Sequence, residues 1–145
     1  MDLFTIARIM IGVAHFDGRF SDEEKRQLKI IFKNIKFSDD ERAQIQQDIL
    51  YPPDPIELYE QLKTKEDIYR CLIWMKQLNS SDGESVDEKA LYDQFMQSGG
   101  AEIVREFAEK ETFKNELNHL RRESSEAQKK ARRAQRLAYF GLFFD

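Results

Sequence analysis

Cysteine occurs once, as Cys71. That excludes an internal disulfide, a cysteine-rich zinc site and a CxxC redox pair. Proline occurs three times, at positions 52, 53 and 55, and glycine six times, so collagen-like and low-complexity classes are excluded. No apolar run approaches the ~20 residues that span a bilayer. The opening MDLFTIARIMIGVAHFDG has no basic leader region and carries Asp2, so no signal peptide is expected. A reducing, cytoplasmic compartment is expected, with peripheral attachment to the inner face of a membrane as its extension. The nucleophile elbow G-x-S-x-G, the zinc motif H-E-x-x-H, the phosphate-binding P-loop and G-x-G-x-x-G are all missing. With only His15 and His119 to serve as imidazole bases, the expectation is a chain that is not an enzyme.

What is present is a 145-residue, 17.2 kDa chain, 41% apolar and 34% charged, long enough for one domain with a core of its own. Apolar residues recur at helical spacing along almost all of it. Leu3, Ile6, Ile9, Met10, Val13 and Phe16 form one stripe, ended by Asp17-Gly18. Ser21 with Glu24 and Ser38 with Glu41 have the spacing of capping boxes. They open helices with Leu28, Ile31, Phe32 and Ile35, and then Ile45, Ile49 and Leu50, expected inward. Pro52 and Pro53 must end the third helix, and Asp54-Pro55 opens a short fourth. The fifth is predicted over Thr64 to Asn79, the sixth after Ser85, and a seventh from near Ala101 toward Leu137, with Gly99-Gly100 between the last two. The fold class is all-α: a compact bundle of about seven helices from two pseudo-repeated helix–Asp-Gly–helix hairpins, plus a long basic C-terminal helix. The predicted division is 1–112 for the bundle and 113–145 for a basic amphipathic arm.

The repeat is spaced by about 65 positions. In each copy an apolar helix meets Asp-Gly (Asp17-Gly18, Asp82-Gly83), and a serine-capped helix follows with a glutamate in its first turn (Glu24, Glu88). Paired hairpins of this kind can share one core. The run His15-Phe-Asp17-Gly18-Arg-Phe-Ser21-Asp-Glu-Glu24-Lys-Arg-Gln-Leu28 carries a resemblance to the TerB-like family. So do the weaker Ser81-Asp82-Gly83-Glu-Ser85-Val-Asp-Glu88-Lys-Ala-Leu91 and the Pro52-Pro53-Asp54-Pro55 break. This family is named for the tellurite-resistance protein and is also found as a module of membrane-anchored J-domain co-chaperones. The resemblance covers roughly residues 1–110. It implies a helical bundle and a non-enzymatic role in metal or stress responses near a membrane. The second copy departs from the family spacing, since Glu88 follows Asp82 by six positions rather than seven.

Two readings of these acids compete. Converging turns would let Asp17, Glu24, Asp82 and Glu88 surround a hard divalent cation such as Ca²⁺ or Mg²⁺, making the chain a metal sensor or buffer. Alternatively the aspartates shape turns and the glutamates close caps. An EF-hand is excluded, because its first ligand position would fall on Val13. His15 is expected to serve as a helix C-terminal partner, and Cys71, among Ile68, Leu72 and Met75, as packing. His119 has no obvious partner in the sequence.

Charge is distributed unevenly. Between positions 121 and 136, Arg121, Arg122, Lys129, Lys130, Arg132, Arg133 and Arg136 outweigh Glu123 and Glu126 for a net of +5, whereas the first 120 residues carry −8. Leu117, Leu120, Ser124, Ala127, Ala131, Ala134 and Ala138 form a seam of mostly small residues. At ~25 cal/mol per Å² such a seam is weak by itself. The chain then carries Tyr139, Phe140, Phe143 and Phe144, which are costly to leave in water. Four destinations are open: the chain's own body or a second copy, another protein, an anionic membrane face, or nucleic acid, disfavoured because the body is acidic. The leading expectation is a non-catalytic adaptor that docks through this arm to a protein complex or membrane face.

Overall fold

Side chains that take up orphan amides of the first turn set the starts of the first four helices. The structure, a computed structural model, describes residues 1–80, 86–108, 110, 115, 116, 118–127, 129 and 130. Asp2 accepts from the Thr5 N–H ahead of α1 (Leu3–Ala14). Ser21 with Glu24 and Ser38 with Glu41 close the predicted reciprocal capping boxes of α2 (Asp22–Phe32) and α3 (Asp39–Leu50). Asp54 caps α4 (Pro55–Glu60), with Pro55 in its first turn. Next come α5 (Lys65–Ser80), α6 (Val86–Phe95) and α7 (Ala101–Phe107), the last two separated by a π-type turn over Met96–Gly100. No strand occurs among the described residues. The fold is an all-α bundle.

α1 and α5 pack against each other and lie at the centre, with α3 and α4 on α1, α6 and α7 on α5, and α2 touching both. The repeat is visible in burial. At an offset of 65 positions Ile6, Ala7, Ile9, Met10, Val13 and Ala14 match Cys71, Leu72, Trp74, Met75, Leu78 and Asn79, and all twelve are buried. At an offset of 64 Glu24, Gln27 and Ile31 match Glu88, Leu91 and Phe95, again all buried. The first hairpin turns at Gly18, whose φ of 77° favours glycine. The second turn, with Asp82-Gly83, lies outside the described residues.

The two halves are covered differently. Gly12 lets the Pro53–Pro55 corner lie directly on α1: a Cβ there would stand 2.7 Å from the Pro53 carbonyl oxygen. Arg8 grips Asp48 of α3, with Nε to Oδ2 at 2.7 Å and Nη2 to Oδ1 at 3.3 Å, and Gln44 donates to the same carboxylate. That pair fixes the face α3 turns inward and corrects one expectation. Ile45 is buried, but Ile49 is 41% and Leu50 74% exposed, because Asp48, not Ile49, takes the inward position.

The seventh helix starts at Ala101 as expected and closes at Phe107. There the Phe107 ring stacks on Tyr69 with centroids 5.7 Å apart, and the Lys110 ammonium lies 3.9 Å from the same ring's centroid. Helix resumes at residues 115–116 and 118–127.

Candidate functional site

Asp17 and Glu24 are held by their own hairpin. One Asp17 carboxylate oxygen accepts from the Arg19 N–H at 2.9 Å, shaping the turn. Glu24 is 5% exposed, and its Oε1 accepts from both the N–H and the hydroxyl of Ser21. Glu88 occupies the equivalent buried position in α6, also 5% exposed. Asp82 lies outside the described residues. Among the described residues no three His, Cys, Asp or Glu side chains converge as a metal cluster.

His15 follows α1, where its Nδ1 lies 2.9 Å from the Ile11 carbonyl oxygen and its ring packs 4.1 Å from that of Phe20. Cys71 is buried, and desolvation pushes its thiol well above the ordinary range. A thiol held in its neutral form is a poor nucleophile.

The first half of the basic segment is anchored to the bundle. Leu120 joins the main core. Ser124 is buried and accepts a hydrogen bond of 2.5 Å from Gln27 Nε2. Arg70 binds Glu116 through Nε at 3.1 Å, and Glu123 meets Lys33 at 3.6 Å and His119 at 3.0 Å. His119 thus has a partner that the sequence pattern did not assign, although i,i+4 spacing was the available signal. Arg121, Arg122, Lys129 and Lys130 remain exposed. Arg132, Arg133, Arg136, Tyr139, Phe140, Phe143 and Phe144 lie outside the described residues.

The surface feature that the sequence pattern did not reveal is the corner between α3 and α4. Leu50 and Tyr51 are each 74% exposed, beside the half-exposed Ile49 and the exposed Pro52. Residues 39–60 around them contain seven acids (Asp39, Asp40, Glu41, Asp48, Asp54, Glu57 and Glu60) and one base, Arg42. Of the acids, Asp48 is taken by Arg8. The corner is an apolar patch in an acidic field.

No helix among the described residues is long and apolar enough to cross a membrane. Comparison with known protein families, curated proteins and solved structures finds no match.

Proposed function

We propose that this chain is a non-catalytic interaction module in which an acidic, apolar corner and a basic, aromatic arm provide complementary docking surfaces. The observation that carries the reading is the exposed Ile49-Leu50-Tyr51 patch inside an acidic field. Apolar contact would supply affinity there, and the surrounding acids would select a cationic partner. The chain's own segment from Lys129 onward has the matching chemistry, five bases followed by four aromatics. A second copy therefore satisfies the requirement, as would another protein bearing a basic aromatic helix. The resemblance to the TerB-like family supports the same non-catalytic role.

A divalent-cation sensor has less support, because turn and cap bonds already engage Asp17 and Glu24. Vesicle binding is a separate outcome for the same arm, through anionic headgroups.

Sedimentation of the full chain, compared with a chain ending at Arg136, tests the proposal. Association that weakens as salt rises, and is lost without the last nine residues, agrees with it. A full chain that stays monomeric at all concentrations and sediments with anionic vesicles would replace protein docking by membrane attachment.

A further inference from the structure

The unequal covering of the two half-repeats leaves a cavity. On α1, Arg8 is covered by Asp48 of α3 and Gly12 by Pro55 of α4, and Ile11 is fully buried. The residues 65 positions on, Ile73, Lys76 and Gln77, line a cavity of about 290 Å³ with Tyr69, Leu72, Tyr92, Val104 and Arg121. Its walls come from α5, α6, α7 and the C-terminal helical segment. The volume lies just below the range for small-molecule sites, about 300–1,000 Å³, which suits a small ligand.

Its chemistry is specific. Leu72, Ile73 and Val104 give apolar walls, and Tyr69 and Tyr92 add aromatic faces with polar tips. Lys76 and Arg121 are the charged residues in its lining, and the described residues that line it include no carboxylate. Neither cation forms an ion pair among the described residues. Glu116 acts on Tyr69 through its charge, but Arg70 holds it. On α1 the equivalent face brings its cation, Arg8, a buried acid in Asp48. The α5 face has two cations and no such acid, in a chain of net charge −4.

We infer that this cavity binds a small monoanionic amphiphile: an aromatic or short aliphatic body against Leu72, Ile73 and Val104, its carboxylate between Lys76 and Arg121. Arg121 presents a planar fork matched to a carboxylate, and Lys76 presents a compact point charge. Confinement of the body beside these cations is what distinguishes the cavity from an exposed basic patch. The inference is independent of the docking corner between α3 and α4.

The test is an amide NMR titration of the full chain with 2-naphthoate and, in parallel, with 2-naphthalenemethanol, which has a similar shape and no charge. The expected result is saturable shifts at residues 69–77, 92, 104 and 121, with naphthoate binding about tenfold or more tightly than the alcohol. The exposed-site double variant Lys76→Gln/Arg121→Gln should keep its helical circular dichroism and lower naphthoate affinity to that of the alcohol. Equal affinity for the two probes would overturn the inference. So would shifts mapping to Ile49–Tyr51, an unaffected double variant, or no saturable binding.

Discussion

Gln27 donates a hydrogen bond to Ser124 across 97 positions of sequence, and both side chains are buried. The contact ties the second helix of the first hairpin to the C-terminal helical segment. The Gln27 amide oxygen has no partner among the described residues, so the amide's paired group is this one donor. Ser124→Ala would leave the whole buried amide unsatisfied, a loss of about 1–3 kcal/mol. Leu120→Ala, which hollows the same contact in the core, should cost about 2–4 kcal/mol. Denaturant unfolding gives both numbers. Hydrogen exchange should show residues 118–127 losing protection before α1 does, and equal loss in both would contradict a separately docked segment.

Arg8 and Asp48 hold α3 on α1, and the acid is almost fully buried while Arg8 is partly solvated. Asp48→Ala should destabilise the fold by about 2–4 kcal/mol, because Arg8 and Gln44 both lose their acceptor. A double-mutant cycle with Arg8→Ala measures the coupling. A coupling near zero would mean that the face of α3 is fixed by Ile45 alone.

Gly12→Ala forces a methyl group to within 2.7 Å of the Pro53 carbonyl oxygen. The better intrinsic helix propensity of alanine, ~1 kcal/mol, opposes this strain. The strain should win, because backbone rather than a flexible side chain must move. A melting temperature lower than the parent's is expected, and a raised one would show that the corner shifts freely.

Burial, followed by the nearby Cys71, pushes the Tyr59 hydroxyl up to about 12. The unfolded tyrosine ionises near its ordinary value of about 10. Between these values the native state keeps a proton that the unfolded state has lost. Stability is therefore full below about pH 10 and falls as pH rises toward 12, by an amount of the order of 1–2 kcal/mol. Tyr59→Phe keeps the ring that stacks on Phe95 at 3.9 Å and should flatten this part of the alkaline profile. An unchanged profile would assign the loss to other groups.

The helices and caps were legible because their signals are local. Ser21 and Ser38 meet their glutamates three residues on, and the Asp17-Gly18 turn closes on its neighbours. The exposure of Ile49 and Leu50 was not legible, because an ion pair 40 positions apart decides which side of α3 faces in. The cavity was equally hidden. Four segments line it, and Lys76 reads in sequence as an ordinary solvated residue of α5. The acids of the first Asp-Gly turn stand out in the sequence, but their role does not. Spacing fits a cation and a cap equally well, and only the bonds made by Glu24 separate the two.

The most direct measurement of corner docking is sedimentation velocity on the double variant Leu50→Asp/Tyr51→Asp beside the parent chain. Both positions are largely exposed, so thermal stability should be unchanged. The expected result is concentration-dependent association of the parent, weakened at ~1 M salt, where the Debye length is about 3 Å, and its abolition in the variant. Association equal in parent and variant would contradict the assignment of this corner as the docking surface.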